Sequence, residues 1–186
     1  MEQRGGAGES ATMRVVRKCL EWVGRLRGTA EAIAGGAAIG MLVAFTPTIG
    51  LQSLIALGLA TLLGANRPIA IVPTWLTNPL TIPPVFAVTY YIGSLVWPGP
   101  AVSEVAGNLT RAAGELARLD FFSLREHLVV FLDLGRDVFI ALWLGGLAVG
   151  AVAAAITYPV TLHTVQRLRA RRAERRRRQA QRQRQH

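Results

Sequence analysis

Two long stretches of the sequence contain no charged side chain: residues 32–66 and residues 68–103. Such stretches are rare in water-soluble domains, because charged residues cover their surfaces. A helix of about 20 apolar residues crosses a hydrocarbon layer of roughly 30 Å. Each stretch is therefore too long for one simple crossing and too short for two complete ones. The pattern predicts membrane segments that are interrupted along their length.

Proline and glycine mark the interruptions. In the first stretch, the sequence Thr-Pro-Thr-Ile-Gly at 46–50 separates two apolar runs that are each too short to span a membrane. In the second stretch, five of the nine prolines of the chain lie between residues 68 and 84. Proline removes a backbone donor and clashes with the preceding helical turn, so a helix should break there. A third apolar run, 138–162, has a proline only near its end and predicts an ordinary spanning helix.

The chain carries 21 Lys and Arg residues against 11 Asp and Glu residues, a net charge of +10. Basic residues are in excess before residue 32 and after residue 166, and such an excess holds a segment in the cytoplasm. Both termini are therefore predicted to be cytoplasmic in a bacterial inner membrane, with an even number of complete crossings. We assign 33–65 to a re-entrant hairpin, 69–97 to a broken crossing and 138–162 to the return crossing. Four short crossings are the alternative.

The predicted fold is an all-α, polytopic integral membrane protein whose helices are interrupted by proline and glycine, either re-entrant or broken. We divide the chain into a cytoplasmic amphipathic N-terminal segment (1–29), a membrane domain (30–165) and an Arg-rich cytoplasmic tail (166–186). Between the spans, residues 100–122 predict an amphipathic connecting helix that lies on the surface. A capping-box pattern predicts a further helix that begins at Leu124 and runs unbroken into the third apolar run.

Neutral polar residues lie close to both interruptions. A helix that opens inside lipid leaves backbone groups that water cannot reach, and each unpaired group costs several kcal/mol. Such interruptions persist where protein packs around them or where they line a wet cavity, and paired interruptions are typical of transport sites. The polar residues therefore either cap and pack the half-helices or bind a substrate or lipid head group in a cavity. The candidate binding residues are Thr46, Pro47, Thr48, Gly50, Gln52, Asn66, Arg67, Thr74, Asn78, Pro79 and Thr81.

Arg67 carries the single formal charge between Glu31 and Glu104. An arginine at the middle of a bilayer costs at least about 2.5–3.5 kcal/mol on insertion scales. Arg67 therefore either anchors its segment at the membrane interface or points inward. In the inward orientation its guanidinium would bind the phosphate of a lipid head group or another anionic solute.

Several short motifs occur together in the membrane domain. Thr46 begins a Thr-Pro-x-x-Gly element, Asn66 is followed by Pro68, and Asn78 begins an Asn-Pro-x-Thr-x-Pro element. Across residues 30–160 the chain resembles the bacterial membrane-protein family called domain of unknown function 2062. The resemblance implies a small inner-membrane protein with no established activity and no known catalytic residues.

Gly146 and Gly150 form a G-x-x-x-G step on the third apolar run. Small residues at this spacing let another helix approach closely. The partner helix belongs either to the same chain or to a second copy, so a homo-oligomer through Gly146 and Gly150 is one of two alternatives.

The tail is a polybasic segment next to a membrane. Each cation near an anionic leaflet contributes on the order of 1 kcal/mol, so we expect the tail to bind anionic membrane lipids. A protein partner is an alternative, and nucleic acid is disfavoured because no aromatic side chains for base stacking accompany the arginines. The arginines assigned to the lipid surface are Arg167, Arg169, Arg171, Arg172, Arg175, Arg176, Arg177 and Arg178.

The sequence contains no G-x-S-x-G, P-loop or G-x-G-x-x-G motif. Its three histidines do not have metal-ligand spacing, and Cys19 is its single cysteine. We therefore expect no enzymatic activity and neither a cofactor nor a metal. The predicted function is transporter-like or lipid-handling, with a polar cavity between two broken helices. The alternative is a membrane scaffold that anchors partners through its helix-packing face and its polybasic tail.

Overall fold

The computed structural model describes residues 28–78, 80–116 and 135–184, and every structural statement below concerns these residues. Within them the chain forms α-helices and one 3-10 helix with no strand, so the all-α prediction is confirmed. The predicted N-terminal amphipathic segment lies almost entirely outside this part of the chain. The helices are α1 (Ala30–Ala44), α2 (Gln52–Leu62), α3 (Arg67–Ile71), the 3-10 helix (Val72–Leu76), α4 (Ile82–Ser94), α5 (Val102–Leu116) and α6 (Arg136–Arg184).

Both predicted interruptions are present. α1 ends at Ala44 and α2 begins at Gln52, and Gly50 between them has a left-handed backbone (φ 82°) that favours glycine. The 3-10 helix ends at Leu76 and α4 begins at Ile82. Two prolines occupy the first turn of α4, where helical N–H groups have no intrahelical partner.

α6 differs from its predicted boundaries. It begins at Arg136, directly after Gly135, whose backbone is left-handed (φ 93°). The prediction of an unbroken helix from Leu124 into the third apolar run is therefore wrong, because a left-handed residue interrupts a right-handed helix. At its other end α6 continues through Pro159 and along the Arg-rich tail. The proposed division at residue 166 coincides with no helix end and stays a prediction.

α6 is the one helix in the described part of the chain that is long and apolar enough to cross a membrane. Only 28% of the residues in its most apolar window are buried, whereas the core helix of a soluble protein is mostly buried. α1 and α2 are apolar but shorter than a full crossing requires. The length and composition of α6 are thus those of a membrane-spanning helix.

α1 and α4 both pack along α6. α1 runs antiparallel to α6: Ile33, near its start, lies in one apolar cluster with Val165, and Leu42, near its end, meets Gly150. α4 covers the other half of the apolar run, where Thr89 meets Gly145. The end of α1 and the middle of α4 therefore contact neighbouring glycines of α6, Gly146 and Gly145.

Glycines make this packing close. A methyl group on Gly146 would overlap the carbonyl oxygen of Phe45, and one on Gly150 would lie 2.7 Å from the carbonyl oxygen of Leu42. The G-x-x-x-G step therefore packs against α1 of the same chain, which is the intramolecular alternative. A homo-oligomer through these glycines stays a prediction.

The segment formed by α2, α3 and the 3-10 helix packs on α1. Gly36 and Gly40 of α1 allow a close approach, because a methyl group at these positions would overlap the backbone carbonyl oxygens of Asn66 and Ala70. Buried alanines of α2 lie in one apolar cluster with Val43 and Ala70. Small residues thus let α1 and α2 pack closely against α3 and the 3-10 helix.

α5 is the predicted connecting helix. Its apolar residues Val105 and Leu109 are buried against α4 in one cluster with Tyr90. The amphipathic helix predicted for residues 100–122 is therefore confirmed over Val102–Leu116.

Candidate functional site

The two interruptions meet in a buried polar cluster, which we call the polar node: Thr46, Gln52, Thr74 and Thr77. All four side chains are buried. The hydroxyl of Thr77, in the second interruption, donates to Gln52 Oε1 at 2.8 Å. The same hydroxyl lies 3.2 Å from the carbonyl oxygen of Ala44, at the end of α1. The two proline-broken stretches are therefore in direct contact.

Gln52 joins the two interruptions. Its carboxamide nitrogen donates to the carbonyl oxygen of Thr46 at 3.3 Å, and its carboxamide oxygen accepts from Thr77. Beside it, the hydroxyls of Ser53 and Thr74 lie 3.1 Å apart. The first turn of α2 is thus bonded both to the 3-10 helix and to the residue that follows it.

Threonine hydroxyls satisfy backbone carbonyls near the helix ends. Thr46 donates to the carbonyl oxygen of Val43 at 2.7 Å, and Thr74 donates to that of Ile71 at 2.6 Å. In the part of the chain that the structure describes, no buried side-chain nitrogen or oxygen lacks a hydrogen-bond partner. The node is therefore closed and internally satisfied, as in the capping and packing interpretation.

Pro47, Thr48 and Gly50 complete the first interruption. Pro47 is buried, and Thr48 Oγ1 lies 2.9 Å from Thr46 Oγ1. Gly50 supplies the left-handed backbone with which the chain turns from α1 into α2. These residues therefore shape the turn that brings Gln52 to the node.

Asn78 and Thr81 shape the second interruption from outside the node. Asn78 Oδ1 accepts from the backbone N–H groups of Leu80 and Thr81 at 3.0 and 3.1 Å. The hydroxyl of Thr81 donates to the carbonyl oxygen of Leu76 at 2.5 Å. Asn78 is exposed, so both residues act as local caps before α4. The predicted site residue Pro79 lies outside the described residues.

Asn66 and Arg67 lie away from the node. Asn66 Oδ1 caps α3 by accepting from the N–H of Ile69 at 3.2 Å, and the Asn66 N–H donates to the carbonyl oxygen of Ala32 at 2.8 Å. Ala32 is in the first turn of α1, whereas the node contacts Ala44, about 18 Å further along the helix. Arg67 is exposed. The structure therefore groups Arg67 with the start of α1 and not with the node.

Thr77 and Ser53 belong to the site but not to the predicted set. Thr77 lies three residues after Thr74, and Ser53 directly follows Gln52. A search for every neutral polar residue within one helical turn of the predicted ones would have included both. Their contacts arise from the packing of α2 against the 3-10 helix, which local sequence does not reveal.

Formal charges mark the two ends of the uncharged part of α6, residues 138–166. At one end, Trp97 Nε1 donates to Asp137 Oδ1 at 3.1 Å. At the other end, Arg169 donates to the carbonyl oxygen of Gly28 at 2.7 Å. Between Asp137 and Arg167, α6 carries no formal charge over about 45 Å. This length matches the thickness of a bilayer with its head-group regions, about 40–45 Å.

Large apolar side chains between these ends are exposed on several helices. The exposed fraction is 62% for Leu54 on α2, 55% for Val88 on α4 and 60% for Ile156 on α6. A water-facing surface rarely exposes large apolar patches. These exposed apolar side chains support the membrane location that is proposed below.

The Arg-rich part of α6 continues beyond Val165, which packs on α1. Residues 167–184 extend over about 27 Å. The predicted lipid-surface arginines whose side chains are described are exposed or half-buried: Arg167, Arg169, Arg171, Arg172, Arg177 and Arg178. Arg175 and Arg176 belong to the same helix, and their side chains lie outside the described set.

The chain matches a known protein family. The family model, described as "Uncharacterized protein conserved in bacteria (DUF2062)", covers residues 13–174. The match extends on both sides of residues 30–160, so the family predicted from the motifs is confirmed. The description names neither an activity nor a location. No curated protein and no solved structure matches the chain.

Proposed function

We propose, from the premise that this chain belongs to the DUF2062 family of bacterial proteins, that it is a multi-pass inner-membrane protein that moves or holds a small polar or lipid-like ligand. The observation that carries the proposal is the contact between two interrupted helices in the polar node. In folds built from broken helices, ligands bind where the half-helices meet near the middle of the bilayer.

The arrangement of the helices supports a defined topology. α1 and α2 form a hairpin that enters from the cytoplasmic side and returns to it before Arg67. α3, the 3-10 helix and α4 form a broken outward crossing, and α6 is the return crossing. Both termini, with their excess of Lys and Arg, are then cytoplasmic. This topology leaves Arg67 and Asp137 at opposite membrane surfaces.

A ligand reaches the node when the hairpin moves away from the broken crossing. The bond between Gln52 and Thr77 links the two units, and one such bond contributes only about 1 kcal/mol net. The cost of opening also includes the contact between Ser53 and Thr74 and the packing of the α2 alanines against Ala70. In the open state, the Gln52 carboxamide and the hydroxyls of Thr46 and Thr77 pair with the polar head of the ligand instead of with one another.

Lipid movement between leaflets tests this function. The full chain is reconstituted in liposomes with fluorescent phosphatidylglycerol, and impermeant dithionite bleaches the label that reaches the outer leaflet. We expect the wild-type chain to accelerate the movement. Thr77→Val should slow it about tenfold, the effect of losing roughly 1.4 kcal/mol of ligand interaction.

The matched control is Thr61→Val, which removes an exposed hydroxyl that donates to Leu57 within α2. It should leave the movement unchanged. Liposomes with the wild-type chain that bleach no faster than protein-free liposomes would refute lipid movement as the function.

A scaffold function is the second candidate, and the continuity of α6 favours it. The helix runs without interruption from the packed bundle into the Arg-rich segment. A rigid cationic arm of this kind attracts acidic partner proteins at the membrane surface. Deletion of 167–186 should then abolish photo-crosslinking of such a partner in cells, while Thr77→Val leaves it intact. The lipid-handling function predicts instead that lipid movement is more sensitive to Thr77→Val than to this deletion.

A further inference from the structure

Arg67 and Arg169 come to one corner of the molecule although they are distant in sequence. Arg169 donates to the carbonyl oxygen of Gly28 at 2.7 Å, and a methyl group on Gly28 would lie 3.7 Å from the side-chain nitrogen of Asn66. The N–H of Asn66 donates to Ala32, and Arg67 directly follows. The starts of α1 and α3 and the basic part of α6 therefore meet. We call this junction the basic corner.

Apolar surface adjoins the basic corner. Ile69 and Val165 are buried beside it in one cluster. Leu62 and Leu63, at the end of α2, are 83% and 70% exposed and shortly precede Arg67 in sequence. Guanidinium groups next to exposed apolar side chains suit a ligand that combines an anionic head with acyl chains.

We propose that the basic corner binds the phosphate group of an anionic phospholipid, with Arg67 and Arg169 as the phosphate ligands. A guanidinium presents its N–H groups in a planar fork that pairs with two phosphate oxygens. The inference rests on the membrane location proposed above and deepens the lipid-handling function by naming the chemistry of the head group. It gives Arg67 an anion-binding role at the membrane surface instead of in the polar node.

Glu31 opposes this binding. It lies in the first turn of α1, at the same corner, and is exposed. Its carboxylate repels a phosphate, although water and salt reduce the repulsion. Glu31→Gln should therefore strengthen lipid binding, an effect opposite in sign to the loss of an arginine.

Native mass spectrometry measures the binding. The full chain in detergent is titrated with phosphatidylglycerol, and the affinity of the first bound lipid is determined. Arg67→Gln should weaken this affinity about fivefold, the effect of one cation near an anionic head group. Arg178→Gln is the matched control because it removes the same charge from an exposed residue further along α6. It should change the affinity less than about twofold, since it lies outside the corner.

Two results would overturn the proposal. Equal losses in Arg67→Gln and Arg178→Gln would mean a diffuse cationic surface, and an unchanged affinity in Arg67→Gln would mean that Arg67 does not bind the lipid. Inorganic phosphate distinguishes a lipid from a free anion. At millimolar concentration it should leave the bound lipid in place, and displacement would assign the corner to a free anion.

The outcome is separable from that of the proposed function. A chain that inserts with both termini in the cytoplasm and moves lipid, but responds equally to Arg67→Gln and Arg178→Gln, refutes only the basic corner. A chain that binds lipid at the corner without moving lipid refutes only the movement.

Discussion

Replacing Thr77 by valine removes the hydroxyl that bonds the second interruption to the first. The substitution removes three contacts of the hydroxyl: Gln52 Oε1 at 2.8 Å and the carbonyl oxygens of Ala44 and Thr74 at 3.2 and 3.3 Å. Loss of a partner costs a buried acceptor about 1–3 kcal/mol in soluble proteins, whereas side-chain hydrogen bonds within a bilayer average about 0.6 kcal/mol. Because the two longer contacts are weaker than the one to Gln52, Thr77→Val should lower the free energy of unfolding by about 1–2 kcal/mol.

Reversible unfolding in bicelles, followed by steric trapping, measures this difference. Thr61→Val is the control, since its exposed hydroxyl bonds only within α2, and it should change the free energy by less than about 0.5 kcal/mol. The double variant with Gln52→Leu and Thr77→Val should lose less stability than the sum of the two single variants. The reason is that both substitutions remove the same bond.

Equal stabilities of Thr77→Val and Thr61→Val would refute the reasoning, because the node would then contribute no more than an exposed hydroxyl on a helix. Strict additivity of the Gln52→Leu and Thr77→Val effects would refute the direct bond between the two side chains.

Two further predictions concern packing and topology. Gly145→Ala should destabilise the chain by about 1–3 kcal/mol because the added methyl group overlaps a carbonyl oxygen of α4. Gly107→Ala, whose methyl group meets no atom of the described residues within 4 Å, should be neutral or stabilising in the same unfolding assay, and equal losses would contradict this packing. With Cys19 replaced by serine, Thr110→Cys should react with an impermeant maleimide outside intact spheroplasts, and Arg171→Cys only after lysis. Reaction of Thr110→Cys only after lysis would contradict the topology.

Local sequence was sufficient to predict the interruptions. Proline and glycine act on the backbone at their own positions and within one helical turn, so 46–50 and 77–81 are interruptions whatever packs around them. The apolar run of α6 can likewise be predicted from its own residues. Gly135 is the exception: its left-handed backbone directly precedes α6 and breaks the continuous helix that the capping pattern predicts, and nothing in the neighbouring residues distinguishes it from a helical glycine.

The contacts of the site depend on segments that are distant in sequence. Arg67 is near the interruptions in sequence, yet the bond between Asn66 and Ala32 holds it at the start of α1. Thr77 joins the node because the second interruption reaches Gln52 across the molecule. Likewise, the spacing of glycines in α6 shows that a helix packs there but not which one. Only the tertiary arrangement decides these questions.

The contact between the two interruptions can be measured with a pair of cysteines. In a chain with Cys19→Ser, the variants Gln52→Cys and Thr77→Cys are combined in native membranes, and Thr61→Cys with Thr77→Cys is the control pair. Since the first two side chains are buried and the Gln52 carboxamide spans the gap to Thr77, their cysteines should be joined by a short, membrane-permeant bifunctional thiosulfonate and should resist an impermeant maleimide. Full maleimide labelling of both cysteines, or a crosslink no faster than that of the control pair, would contradict the account.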